Sequence, residues 1–171
     1  MKPLHRRPVF FSKWLPQGIK HWLNISLQDA MEGFEVFRCH LFLWLGADPK
    51  ILAKVGLDYP LVTRAARSGD VGILRLLLEF GGDACEGSEK GQFQPIHMAV
   101  LKDKDKVIEV LVKFGANPNA RYTVDFDGTV LAEGSGRTSM ALAVTRGKTA
   151  AALTLYRLGA SLYNIDEFGS D

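Results

Sequence analysis

The chain has two cysteines in 171 residues, Cys39 and Cys85, and no grouping of Cys and His at the spacing of a metal quartet. Cys39 stands in an apolar run and Cys85 in a Gly- and Glu-rich one. Neither a disulfide framework nor a metal site is encoded, and a reducing compartment, the cytoplasm, is expected. Acids are missing from the start: residues 1–28 hold five basic residues (Lys2, Arg6, Arg7, Lys13 and Lys20) and none acidic, which leaves 16 basic against 19 acidic in 29–171. No dense basic stripe runs along the body, which argues against nucleic acid as the main partner. Long apolar runs are absent as well. The opening MKPLHRRPVFFSKWLPQG has an apolar run of only three residues, too short for a secretory signal, and nothing approaches the length of a membrane span. Pro3, Pro8 and Pro16 interrupt any amphipathic presequence helix. What is present is 47% hydrophobic and 23% charged composition, which supports one packed domain.

The chain repeats itself. AMEGFEVFRCHLFLWLGAD (30–48), AARSGDVGILRLLLEFGGD (65–83), AVLKDKDKVIEVLVKFGAN (99–117) and AVTRGKTAAALTLYRLGAS (143–161) align without gaps. Each opens on Ala (Ala30, Ala65, Ala99, Ala143) and reaches Gly sixteen residues later (Gly46, Gly81, Gly115, Gly159). A polar or Gly break near the fifth position precedes apolar residues at helical spacing, such as Ile73, Leu74, Leu77 and Leu78, or Val107, Ile108, Leu111 and Val112. The pattern reads as the end of one helix, a tight turn, and a second helix stopped by Gly. The Ala lets the two helices approach closely, and the Gly takes the left-handed capping conformation. The fixed interval keeps both apolar faces in register. The fold class is therefore an all-α repeat solenoid of stacked helix pairs with hairpin loops.

On these residues the chain resembles the ankyrin-repeat family over roughly 26–171. QPIHMAV (94–100) is similar to the family signature Thr-Pro-Leu-His-x-Ala, with Gln94 for Thr, and the resemblance implies a structural His97 hydrogen-bonded to neighbouring loop backbone. TSMALAV (138–144) is a degenerate copy, YPLVTRAA (59–66) keeps Pro60-Leu61 with one extra residue, and ISLQDAM keeps only Leu27 and Ala30. GASLYNIDEFG resembles the outgoing hairpin, with Asp166 and Gly169 in place. The copies are separated by 35, 34 and 44 residues, against about 33 for the family. The helical part is constant, so the excess of about eleven residues in the last interval must lie in one connecting hairpin.

That insertion contains TVDFDGTVL (123–131), which resembles the nucleophile motif of haloacid-dehalogenase-like phosphatases and would make Asp125 and Asp127 catalytic. Such a site needs a strand end in a doubly wound sheet and further acids and Lys downstream. No βαβ alternation precedes it, and Asp166 and Glu167 already belong to the repeat pattern, so the chain is read as not an enzyme and without cofactor. GSGRTS (134–139) lacks the Lys of a phosphate loop, and Asp125-x-Asp127-Gly128 supplies too few ligands for calcium. The segment alternates apolar and polar residues through Tyr122, Val124, Phe126 and Val130 about Asp127-Gly128, a hairpin signal. It is expected to form a finger, its tip either contacting a partner or covering the neighbouring repeat.

Residues 1–25 are read as a basic, aromatic capping segment. Phe10, Phe11, Trp14, Leu15, Ile19, Trp22 and Leu23 are suited to hiding the open face of a terminal repeat, or to forming a partner-binding or membrane-touching patch. The resemblance implies a non-enzymatic module that binds another protein, as a monomer, through hairpin tips and first helices. The candidate contacts are Asp125, Phe126, Asp127 and Glu133 of the finger, Glu89, Lys90 and Phe93 of a second tip, and Arg64, Arg67 and Lys102 of first helices. A sharper alternative is an inhibitor or immunity-type protein whose acidic finger occludes the active site of a toxin or effector enzyme.

Overall fold

The computed structural model describes residues 14–51, 59–87, 93–123 and 137–162. Among them four helix pairs follow in order: α1 (Gln17–Glu32) with α2 (Val36–Leu45), α3 (Leu61–Ser68) with α4 (Val71–Glu79), α5 (Pro95–Leu101) with α6 (Asp105–Lys113), and α7 (Ser139–Thr145) with α8 (Thr149–Arg157). First helices stack on first helices from α3 to α7, and second helices on second helices from α2 to α8. The first pair also reaches the second through Arg64, whose Nη2 donates to Glu32 at 2.9 Å.

The repeat's punctuation has a backbone cause. The fifth residue of each copy, Phe34, Gly69, Asp103 and Gly147, sits at positive φ and turns the chain between the paired helices. At the closing glycines the left-handed backbone brings the next N–H back to the helix, as in Ala47 to Phe42 O at 2.9 Å and Ala160 to Leu155 O at 2.9 Å. This double-backed end satisfies carbonyls that would otherwise be orphaned.

Apolar stripes at three- and four-residue spacing meet in one continuous core. Ile73, Leu74, Leu77 and Leu78 of α4 are buried as expected. On α6 the stripe is Val107, Ile108, Val110 and Leu111, while Val112 is only partly buried. The alanines that open each copy are also buried, because two helix backbones pass close to them.

The boundary at 25/26 falls inside a helix. α1 is 16 residues long, against eight for α3 and seven each for α5 and α7. Its buried residues Leu23, Leu27, Ala30 and Met31 form a single stripe, so residues 17–25 extend the first helix of the first pair. Residues 1–13 lie outside the described part.

The only strands among the described residues are β1 (Arg121–Tyr122) and β2 (Arg137–Thr138), paired antiparallel with Arg121 opposite Thr138 and Tyr122 opposite Arg137. They bring together the two ends of the long insertion. A doubly wound parallel sheet, which the phosphatase motif would need, is absent from the described residues.

Candidate protein-binding surface

The root of the insertion is built from His97 outward. Pro95 starts α5 with its φ already fixed, and His97 follows two residues on, fully buried. Its Nδ1 accepts from the Gln94 backbone N–H at 3.0 Å, which leaves the proton on Nε2, and that nitrogen donates to Ala120 O at 3.1 Å. Burial holds the ring neutral, with its pKa pushed down to about 4. Ala120 O also accepts from the Ser139 N–H at 3.0 Å. One carbonyl thus ties the start of the insertion to α5 and to α7. Phe93 and Tyr122 close over the imidazole, with ring centroids 5.0 and 5.2 Å from it and 5.3 Å from each other. The Thr138 side chain, at the far end of the ladder, caps α7 by accepting from Ala141 N–H at 3.1 Å.

This geometry corrects one expected contact residue. Phe93 is 5% exposed and belongs to the aromatic cluster, so it supports the hairpin side instead of facing a partner. The cause is its neighbour: a buried imidazole needs apolar walls, and Phe93 is the nearest aromatic in sequence. Arg64 is half-buried and held by Glu32, whereas Arg67 and Lys102 are exposed at the C-terminal ends of the adjacent helices α3 and α5. Those two therefore share one edge of the first-helix layer. Glu89, Lys90, Asp125, Phe126, Asp127, Glu133, Asp166 and Gly169 lie outside the described residues. Cys39 is buried among apolar groups and its thiol is raised to about 11, chiefly by that burial, whereas Cys85 is exposed and donates weakly to Gly115 O at 3.5 Å.

The hairpin side repeats a small device. Asp48, Asp83 and Asn117 occupy equivalent positions after each helix pair and accept from the backbone N–H two residues on at 2.9, 2.8 and 2.9 Å. Asn119 reaches the next copy, accepting from Ser161 N–H at 2.7 Å. Such turns bend the outgoing chain just after each helix pair.

Exposed aromatics that sequence reasoning left out cluster in the first helix pair. Phe34, Phe37 and Trp44 are 60%, 79% and 49% exposed. A cleft of about 440 Å³ lies beside Phe34, lined by Met31, Glu32, Arg64, Ser68 and Ile73. Comparing the four copies position by position is the signal that finds them, because equivalent residues elsewhere are Gly, Ala or charged. Among the described residues no three His, Cys, Asp or Glu side chains gather as a metal site, and no helix is long and apolar enough to cross a membrane.

Stacked helix pairs, each closed by a left-handed glycine and followed by an Asp- or Asn-held turn, define a repeat-protein scaffold. A family model for ankyrin repeats in three copies matches residues 28–122, over half of the sequence, and the chain belongs to that family. Ankyrin repeats generally mediate contacts between proteins. The match ends at Tyr122, while α7 and α8 repeat the same turn and capping geometry beyond it. A stretch of 64 residues, 37% of the chain, is 33% identical to part of the human 2-5A-dependent ribonuclease. The chain spans only 9% of that protein's length.

Proposed function

We propose that this chain is a non-enzymatic module that binds another protein along its hairpin edge and first-helix layer, with the 124–133 finger as the principal contact. The observation that carries this reading is the root of the insertion. An excursion about eleven residues longer than the family spacing starts and ends on a short ladder whose buried residues, Tyr122 and Thr138, are fixed to His97 and to α7. A fixed root lowers the entropy lost when a contact made beyond it forms. Asp125, Phe126, Asp127 and Glu133 supply acid and an aromatic there. Glu89 and Lys90 of a second tip, with Arg64, Arg67 and Lys102, complete the surface, and a standard interface needs about 800 Å² from each partner.

The sharper form is an inhibitor of the immunity type, acting as a cytoplasmic monomer. The acidic finger occupies the active site of a basic toxin or effector enzyme that handles nucleic acid or phosphate, where complementary charge speeds association. Replacing 124–133 by a short Gly-Ser turn tests the reading. Helical circular dichroism and cooperative melting are retained, while capture of the partner from native cell extract, quantified against wild type, falls. Unchanged capture refutes the finger as the contact. Asp125→Asn leaves phosphatase assays at background, as in wild type.

A further inference from the structure

The helix pair α7 with α8 differs from its sisters on the side where a following pair would stack. Val144 is 52% exposed, whereas the equivalent Met31, Ala66 and Val100 are buried. Tyr156 is 60% exposed, whereas Leu43 and Leu78 at its position are buried and Val112 is partly buried. Among the described residues no helix follows α8, so none covers these two side chains. A missing neighbour does not account for Leu153. It is 59% exposed at the position of His40, Arg75 and Glu109, where every other pair carries a polar residue. It lies three residues before Tyr156, which makes the two neighbours on one side of α8. Apolar surface beyond what stacking requires marks a contact.

The charge of this pair has one sign. Residues 137–162 hold Arg137, Arg146, Lys148 and Arg157 and no acid. Arg146 follows α7, Lys148 precedes α8 and Arg157 ends it, next to Tyr156. In the adjoining pair Asp103 is committed to the Ala151 N–H at 2.9 Å. Asp105 and Glu109 share α6 with Lys106 and Lys113. The described residues 93–123 and 137–162 together carry nine basic and three acidic side chains, whereas 14–51 and 59–87 carry six and eight. The positive field therefore belongs to this end of the stack.

We propose that the chain's own residues 163–171 (YNIDEFGSD) dock back over the Val144–Leu153–Tyr156 face, with Ile165 and Phe168 as apolar cover and Asp166 and Glu167 answering its cations. The segment lies outside the described residues, and its sequence has the complementary make-up: three acids, no base, and apolar residues on both sides of the Asp166-Glu167 pair. A second copy's identical face would instead set cations against cations. The chain leaves α8 in the right place. Ala160 N–H donates to Leu155 O at 2.9 Å, which holds the departing backbone one turn from Tyr156. Nine extended residues reach about 30 Å, and the nine-residue α8 is about 14 Å long, so the segment can run back along the whole helix. So short a tether gives a millimolar effective concentration, at which even a weak contact forms. Terminal faces of a solenoid need such cover. This closure is independent of the finger, and it removes the face from the surface open to a partner.

The test uses the full chain with Cys85→Ser and a nitroxide spin label on Ser170→Cys; Cys39 is buried and does not take the label. NMR amide signals of Val144, Leu153 and Tyr156 broaden, while those of Phe37 in the first pair do not. The broadening weakens as salt rises from about 0.05 to about 0.5 M. Asp166→Lys with Glu167→Lys removes most of it and lowers the melting temperature by about 2–4 °C. Arg157→Glu alone weakens it, and Arg157→Glu combined with the reversed tail restores part of both signals, because the pair forms again with its signs exchanged. Ile165→Ser with Phe168→Ser keeps every charge and also loses the broadening. Each of four results overturns the proposal. Equal broadening with the native and the reversed tail means that the segment passes the face as an outgoing turn without docking. Broadening transferred from a spin-labelled copy to a separate isotope-labelled copy makes a second molecule the occupant. Independent effects of Arg157→Glu and the reversed tail show that the charges do not meet. A melting temperature unmoved by either tail variant leaves the face open to a partner.

Discussion

His97 Nε2 donates to the carbonyl oxygen of Ala120 at 3.1 Å, across a sequence separation of 23. This bond fixes where the long insertion leaves the stack, and the Gln94 N–H bond to Nδ1 beside it exists only while the ring is neutral.

Stability should therefore fall with acid in a defined window. Folding lowers the His97 pKa from 6.5 to about 4, so between those values the unfolded chain binds the extra proton. His97 thus contributes its full stabilisation above about 6.5 and progressively less as pH falls towards 4, with a slope of up to about 1.4 kcal/mol per pH unit. Urea melts from pH 8 to pH 4 measure it. In His97→Gln the component between pH 6.5 and 4 disappears, and the loss of buried hydrogen bonds lowers stability at pH 8 by about 1–3 kcal/mol.

Phe93 and Tyr122 behave as core residues. Each is buried against the imidazole and against the other. Phe93→Ala and Tyr122→Ala each cost about 3–5 kcal/mol, and the double variant costs less than the two together because they share one contact. Chemical denaturation of the four proteins checks both statements. An effect of Phe93→Ala on partner affinity without loss of stability would contradict its place in the fold.

Asp103 caps a helix of the next repeat. Its Oδ1 accepts from the Ala151 N–H at 2.9 Å, whereas Lys148, at the N-cap of α8, makes no side-chain cap bond. Asp103 also has φ 53. Asp103→Gly loses the cap but relaxes the turn, costing about 1 kcal/mol or less. Asp103→Ala loses the cap and keeps a strained backbone, costing about 2–3 kcal/mol. Thermal melts that rank Ala above Gly would refute this assignment.

Thr63 offers the opposite sign. It is fully buried on α3 and its hydroxyl has no hydrogen-bond partner among the described residues. Thr63→Val replaces an unsatisfied polar group with a methyl of similar shape and should raise stability by about 1 kcal/mol, or roughly 2–4 °C in melting temperature. A decrease would show that the hydroxyl is satisfied after all.

The period of the chain determined most of the architecture. Ala and Gly sixteen residues apart, with apolar residues at helical spacing between them, allow only a helix pair with a capped end, and four copies require a stack. The resemblance of QPIHMAV to the family signature implied the bonds of His97 to loop backbone, and the repeat interval put a connection of unusual length between Asn117 and Thr138. Tertiary structure decided what local pattern leaves free, namely which side of each residue meets another copy. Phe93 reads as a loop aromatic in sequence but is buried, because Tyr122 and His97 arrive from elsewhere in the chain to enclose it. Residues 17–25 read as a separate cap but continue α1, because Leu23 aligns with Leu27 and Ala30 on the face covered by the stack. Phe37 and Trp44 stand in an apolar helix yet face outward, because burial depends on the neighbouring repeat, and a sequence read one copy at a time contains no record of where that neighbour lies.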